Sequence, residues 1–440
     1  MNIYFSGIGG VGLGPLAQMA VDAGHTVIGS DLAKSLTTSE LSQQGVQLHI
    51  GEQTGEYLRE IHSATPIDWL VYTAALPIDH PELVAARKLG IHATKRDGLL
   101  EKLIADSEQK LIAVSGTHGK TTVTGMLVWV LEQLGVPISY SIGSQISFGP
   151  SGKFNPDADY FVYECDEFDR NFLKFHPHLS IIVSADYDHP DTYPTEEEYK
   201  AAFRQFIEQS DHTILWQQDA DYIDFTGNDS SWVLQPHEVL PLKIAGEHNR
   251  RNATLVAKAI EKLSSATSTA VFEDSDFPSA PSGPEKKDDI EVQTVAEVLE
   301  SFPGTIRRFE KLAPNLYSDY GHHPAEITAT LQMAREIADY VVLIYQPHQN
   351  IRQHEIRSQY TDDIFKNADE IYWLPTYLSR EDPALETLTP TQLTAQLTLG
   401  NLHISEFDDT LQSKITRHRN AGHLVLGMGA GSIDGWLRKH

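Results

Sequence analysis

Residues 114–122, VSGTHGKTT, join glycine, lysine and threonine in the way a phosphate-holding turn requires. A strict G-x-x-x-x-G-K-[ST] loop would start with glycine at 114, where this chain has Val114. The chemistry survives that loss. Backbone N–H groups of Gly116, Thr117, His118 and Gly119 can wrap phosphates, Lys120 can reach the β/γ oxygens, and the Thr121 hydroxyl, followed by Thr122, can ligate Mg²⁺. A purely structural turn has no need of lysine followed by two threonines. A second glycine-rich stretch, GIGGVGLG at 7–14, satisfies G-x-G-x-x-G at Gly7, Gly9 and Gly12, with Gly10 and Val11 inside it. Asp31 follows 19 residues after Gly12. This pattern makes a tight turn, lets backbone approach a pyrophosphate, and aims a helix N-terminus at it. Its literal reading is NAD binding, but the spacing fits another diphosphate, such as a nucleotide sugar, equally well.

Two acidic stretches follow. ECDEFD carries Glu164, Asp166, Glu167 and Asp169; DYDHPD carries Asp186, Asp188, His189 and Asp191. Either alone reads as a solvated turn. Together, downstream of a phosphate loop, they point to a divalent-metal site. Further along, SDYGHHPAE brings Asp319, His322, His323 and Glu326, and YQPHQNIRQHE brings His348 and Arg352. Paired histidines at a helix start can be simple caps. Two such clusters in one region suit recognition of carboxylates and phosphates.

The elements that must position these residues alternate between strand and helix. NIYFSG, HTVIGSD, IDWLVYTAA and IHATKR read as strands, with PLAQMAVDAG a helix. KLIAVSG opens a second βα series that runs into the lysine loop. DYFVYECDEFD and LSIIVSADYDH are apolar strands ending in the acidic tips, where parallel sheets bind ligands. From 303 a third series follows, with strands at NLYSDY, YVVLIYQPH, EIYWLPTY and HLVLGMGAG. The expected fold is α/β in three domains: 1–107, Rossmann-like; 108–302, a P-loop ATPase-type parallel or mixed sheet; and 303–440, again Rossmann-like. Residues 264–292, rich in Ser, Pro, Asp and Glu, read as a disordered insertion.

Composition narrows the class. Hydrophobic residues make up 40% and charged residues 22%, which is ordinary for a soluble globular chain. A net charge of −27 without a basic run argues against nucleic-acid binding. One cysteine, Cys165, forbids an intrachain disulfide. No apolar run reaches the ~18 residues of a membrane span, and the N-terminus lacks a basic, cleavable leader. The chain is therefore expected in the cytoplasm, without membrane insertion and as a monomer or dimer.

GTHGKTT, ECDEFD, DHPDTY, GEHNRRN, RRF and DYGHHPAE, in this order, resemble the Mur ligase family of ATP-dependent amide ligases, most closely its alanine-adding branch. The resemblance implies ATP-dependent ligation of L-alanine to the lactoyl carboxylate of UDP-N-acetylmuramate through an acyl phosphate. It implies that Gly9, Gly10, Val11, Gly12, Ser30, Asp31, Thr73 and Arg96 serve the UDP-sugar. The lysine loop, His248, Asn249, Asn252, Arg308 and Asp319 would bind ATP. Two Mg²⁺ ions are implied, one on Thr121 and Glu164 and one on His189. Lys120, Glu164, His189, His322, His348 and Arg352 would be catalytic, with His322 or His323, His348 and Arg352 facing carboxylate substrates. Where the family usually has arginine after QPH, this chain has Gln349. Where it has Asp or Asn after GAG, this chain has Ser432. Ser184 replaces a usual asparagine, and Phe203 stands where sister ligases carry a carbamylated lysine. A ligase attaching recycled murein tripeptide shares Asn350 and is the nearer rival; an NAD-dependent dehydrogenase would leave the lysine loop unexplained.

Overall fold

The computed structural model describes residues 1–10, 12–73, 76–189, 192–266, 294–379 and 381–439. Val11, Asp191 and all of the expected insertion beyond 266 lie outside them. The chain forms two compact units, Met1–Glu238 with Leu255–Phe302, and Val239–Thr254 with Pro303–His440.

The first unit holds two sheets. One consists of β1 (Asn2–Ser6), β2 (Thr26–Asp31), β3 (Gln47–Ile50), β4 (Trp69–Tyr72) and β5 (His92–Lys95), all parallel, in the order β3-β2-β1-β4-β5. The order reverses between β1 and β4, so a crevice opens beyond the tip of β1. The other consists of β6 (Lys110–Ser115), β7 (Ile138–Ser141), β8 (Gly152–Lys153), β9 (Tyr160–Glu164), β10 (Leu179–Ile182), β11 (His212–Trp216) and β12 (Ser231–Leu234). Its order is β12-β11-β10-β6-β9-β7-β8, parallel except for the β7–β8 edge. Here β6 lies between β9 and β10, so its loop emerges between both acidic tips.

Residues of both sheets share one hydrophobic core that includes Ile3, Phe5, Leu111, Ala113 and Cys165. Phe203 belongs to it too, fully buried against Phe172, with ring centroids 5.2 Å apart. At that position the chain places a packing residue and no charge.

The second unit holds β13 (Glu310–Ala313), β14 (Leu316–Asp319), β15 (Val341–Tyr345), β16 (Glu370–Trp373), β17 (Leu402–Ile404) and β18 (Leu424–Met428). Their order is β13-β14-β18-β15-β16-β17, with only β13 antiparallel. The central strands β15 and β18 are buried along their whole length, which is why they read as unbroken apolar runs. The expected α/β class is what the chain adopts, built on three parallel or mixed sheets. Edge strands β3 and β17 carry partly exposed QLHI and LHI and give no such run. Among the described residues no helix is long and apolar enough to cross a membrane.

Candidate active site

β6 ends at Ser115, and the helix Lys120–Gln133 begins five residues on. Between them Gly116 has φ +135°, and a Cβ there would lie 2.6 Å from the Ser184 carbonyl oxygen. Only glycine lets the loop pass so close to the β10 tip. Ser184 then holds the loop. Its carbonyl accepts from Thr117 N–H (3.0 Å), its hydroxyl accepts from His118 N–H (2.9 Å), and that hydroxyl donates to His118 O (3.1 Å). Thr117 Oγ1 is tied to Asp186 and, at 2.6 Å, to Tyr199 OH.

Lys120 Nζ folds back over this loop. It donates to Gly116 O (2.6 Å) and to Glu167 Oε2 (2.7 Å), with Asp166 Oδ1 at 3.7 Å. Burial works against the lysine's charge, but Glu167 and then Asp166 outweigh it and hold the ammonium above its ordinary pKa. Burial likewise pushes the Glu167 carboxyl up, and Lys120 with His189 pulls it below the usual carboxylate value. Asp166, with less compensation, is raised by burial. Thr121 Oγ1 donates to Glu164 Oε1 at 2.8 Å, and Gly143 N–H donates to Glu164 Oε2 at 2.7 Å. A hydroxyl and a carboxylate in contact form an all-oxygen set of the kind Mg²⁺ takes. His189 is turned onto Glu167 Oε1 (3.5 Å) and Asp188 Oδ2 (3.7 Å), edge-on to Phe168.

The first glycine loop leaves β1 differently. Ser30 O accepts from Gly7 N–H (2.9 Å) and Ile8 N–H (3.1 Å), and Asp31 Oδ2 accepts from Gly9 N–H (2.8 Å). Thr73 Cγ2 sits 2.9 Å from where a Cβ on Gly7 would be, and Arg96 Nη1 sits 3.5 Å from the same point on Gly12. So Gly7, Gly9, Gly10, Gly12, Asp31, Thr73 and Arg96 gather at one strand tip. Ser30 joins through its carbonyl; its side chain is fully buried beneath the loop, where its hydroxyl donates to Glu82. Burial opposes the Arg96 charge, but Tyr163 and Asp97 raise its pKa above the ordinary value.

In the second unit, His322 lies at the β14 tip and His348 at the β15 tip, with ring centroids 5.6 Å apart. Burial drives the His322 pKa down to about 4. The neutral ring has its Nδ1 3.2 Å from Tyr320 O and turns Nε2 to the Arg352 guanidinium. With Nδ1–H donating, Nε2 is the acceptor for Arg352. His348 stacks on Tyr377 at 5.7 Å. His323 proves to be the N-cap of the helix Pro324–Ile337, and Glu326 completes the box by accepting the His323 and His322 amides. Asp319 accepts from Phe309 N–H and Gly321 N–H, both at 2.7 Å, and so shapes its own turn. Arg308 lies over the Tyr320 ring, 3.9 Å from Glu326. Gln349 has φ +59° and begins the helix Asn350–Ile356, and Ser432 Oγ accepts from Gln346.

His248, Asn249 and Asn252 lie on the first turns of the helix Glu247–Ala266. Burial lowers the His248 pKa to about 4. Asn249 donates to Ala245 O at 3.2 Å, and Asn252 is buried. The neighbouring Arg250 pairs bidentately with Glu336 at 2.8 and 2.9 Å.

Three residues outside the expected site set prove central to these loops. Glu167 is one of four acids within residues 164–169, and burial picks it out. Ser184 stood out as a departure but had no expected contact. Glu82 had no sequence signal beyond following a proline.

The geometry can be set beside known proteins. The Mur ligase family's catalytic-domain description matches residues 2–108, and its middle-domain description matches residues 114–235. A UDP-N-acetylmuramate–L-alanine ligase of Thermosynechococcus vestitus is 28% identical over 98% of this chain and 93% of its own. One from Nocardioides is 29% identical over 98% and 94%. Among solved structures, the UDP-N-acetylmuramate-alanine ligase of Thermotoga maritima superposes with a TM-score of 0.72 at 24% identity, covering 100% and 98% of the two chains. A murein peptide ligase of Psychrobacter arcticus gives 0.62 at 22%, with the same coverage. At these identities the structures establish likeness of fold.

Proposed function

The chain belongs to the Mur ligase family, and from that premise we propose that it joins L-alanine to the lactoyl carboxylate of UDP-N-acetylmuramate at the expense of ATP. The observation that carries the reading is the lysine loop with its acidic wall: Lys120 on Glu167, and Thr121 on Glu164. The relatives of matching length bear that activity in their names.

In this reading the substrate carboxylate attacks the γ-phosphorus and ADP leaves, giving an acyl phosphate. The L-alanine amine then attacks the acyl carbon, loses a proton, and inorganic phosphate departs. Gly119 N–H and the first amides of the helix Lys120–Gln133 are assigned to the ATP phosphates, since Ser184 takes the amides of Thr117 and His118. Lys120 turns from Glu167 toward oxygens that gain charge as the γ-phosphoryl transfers. Thr121 and Glu164 would hold Mg²⁺, which when bound neutralises phosphate charge; His189 is the residue for a second ion. The first loop, with Asp31, Thr73 and Arg96, keeps the UDP diphosphate, which does not react. His248, Asn249, Asn252, Arg308 and Asp319 are assigned to the nucleotide. Arg352, aimed by neutral His322, is assigned with His348 to the carboxylate of the incoming amino acid.

The test is phosphate release by purified protein given UDP-N-acetylmuramate, ATP and Mg²⁺ with either L-alanine or the murein tripeptide. Release with L-alanine is expected. Release only with tripeptide transfers the chain to the recycling reaction, and tight NADH binding at the first loop removes the UDP-sugar assignment.

A further inference from the structure

Beneath the first glycine loop lies a carboxylate bonded to the strands on either side of that loop. Glu82, on the first turn of the helix Pro81–Leu89, is fully buried. Its described hydrogen-bond partners are all neutral. Tyr4 OH donates to Oε1 at 2.7 Å; Oε2 accepts from Ser6 Oγ, from Ser30 Oγ at 2.8 Å and from Gln53 Nε2 at 3.2 Å. Gln53 Nε2 also donates to Ser30 Oγ at 2.8 Å.

These donors come from separate elements. Tyr4 and Ser6 lie on β1, Ser30 lies on β2, and Gln53 follows β3. Ser6 is the last residue before the loop, and Ser30 O is the acceptor for the first two loop amides, Gly7 and Ile8. The carboxylate thus clamps the side chains of the two residues whose backbones set where the loop begins. Burying an acid is costly, and the cost is met only when every lone pair finds a donor. A neutral apolar residue would fill the space without fixing the two serines in register.

We propose that Glu82 is a positioning residue for diphosphate binding: by holding Ser6 and Ser30 it fixes where the glycine loop, and the helix start that follows it, stand toward the UDP-sugar. The proposal rests on the UDP-sugar reading of that loop. The difference between a clamp for binding and a mere buried network is that the clamp acts on one substrate and spares the other.

The experiment uses the full chain and its Glu82→Ala and Glu82→Gln variants. Initial rates are taken with UDP-N-acetylmuramate varied at saturating ATP and L-alanine, then with ATP varied. Calorimetry gives the Kd of the UDP-sugar, and thermal melts give Tm. Glu82→Ala is expected to raise KM and Kd for the UDP-sugar about tenfold while kcat and the KM for ATP stay within about twofold. Glu82→Gln, which keeps one oxygen acceptor for the serines, should recover most of that affinity. Should the alanine variant fail to fold, Ser6→Ala, which removes one of the clamped hydroxyls, carries the same comparison. A lower Tm with unchanged UDP-sugar KM and Kd overturns the proposal. The two failures are separable: if wild-type protein does not bind the UDP-sugar, the substrate reading falls and the proposal with it. If wild type binds and Asp31→Ala weakens binding while no Glu82 variant does, only the proposal falls.

Discussion

At residues 7–14 and again at 116–122 the chain leaves a buried parallel strand through glycines and enters a helix. The first turn contains no lysine, and a carboxylate, Asp31, takes one of its amides at 2.8 Å. The second places Lys120 at its helix start, against Glu167, with Thr121 against Glu164. Both aim a helix N-terminus at the space where a phosphate can bind, while several loop amides are spent inside the fold, on Ser30 and Asp31 in the first and on Ser184 in the second. The first has Arg96 beside Gly12; only the second holds a lysine at its helix start and a hydroxyl–carboxylate pair, Thr121 on Glu164. A phosphate that is merely kept needs only fixed donors. One that is transferred needs charge that can be redirected as the transition state forms.

The sharpest way to break this division is Lys120→Ala. Removal of the charge should lower kcat by about 10³-fold or more, roughly 4 kcal/mol of transition-state stabilisation. The Kd of the UDP-sugar should change by less than about threefold. Phosphate release and calorimetry on the same preparation check both halves, and loss of UDP-sugar affinity would merge the two loops into one site.

Next in size is a pair of glycine substitutions. In Gly116→Ala the new methyl would meet Ser184 backbone at 2.6 and 2.8 Å, at φ +135°. Backbone cannot yield cheaply, so a loss of about 2–4 kcal/mol is expected, with ATP binding impaired. In Gly9→Ala the methyl would meet Thr38 Cγ2 at 2.8 Å, Ser35 Oγ at 2.9 Å and Asp31 Oδ2 at 3.0 Å. These are side-chain atoms that can turn aside, so about 1 kcal/mol or less is expected. Urea unfolding of the two variants decides; equal losses would mean the second loop is no more tightly held than the first.

The sequence made this comparison possible but could not complete it. Both loops, both acidic tips and the central strands were legible, because parallel strands are apolar throughout and end where ligands bind. Which of Glu164, Asp166, Glu167 and Asp169 would face Lys120 was not legible. Of the four only Glu167 is buried, and Asp169 and Arg170 just beyond it stand at positive φ (54° and 55°). Ser30 was legible as part of the first loop, but its hydroxyl points down to Glu82, a pairing 52 residues apart with no local pattern. His323 carries two readings in the sequence, and in the structure it is the N-cap of the helix Pro324–Ile337. Pattern reports what lies along the chain; contacts across the sheet come from packing.

A smaller effect probes the first loop alone. Asp31→Ala removes the acceptor for Gly9 N–H and for Ala33 N–H. A hydrogen bond to a charged group is worth about 1.5–3 kcal/mol, and water can replace part of it at this partly exposed site. The UDP-sugar KM should rise about fivefold, with the KM for ATP unmoved. A parallel rise in both would show that the loops are coupled more tightly than the comparison holds.

The smallest expected effect is in the pH dependence of stability at the second loop. The folded Glu167 pKa lies below its ordinary value of 4.5, and that of Lys120 lies above 10.5. Glu167 therefore contributes stability that is present above about pH 4.5 and is lost as pH falls through its lowered folded value. Lys120 contributes stability that is present below 10.5 and lost as pH rises through its raised one. The pair should be fully effective between those limits. Asp166, raised by burial, titrates in the opposite sense on the acid side and blunts the slope. The informative quantity is thus a difference: unfolding free energies of wild type and Glu167→Gln between pH 3 and 7. Below about 4.5 the wild type should lose stability faster, by no more than about 1.4 kcal/mol per pH unit. The UDP-sugar Kd should be the same for both proteins at pH 7. Identical acid limbs would mean that Lys120 is held by the loop carbonyls Gly116 and Thr117 and not by Glu167. The acidic wall would then serve the metal and not the lysine, and the contrast between the two loops would rest on Thr121 and Glu164.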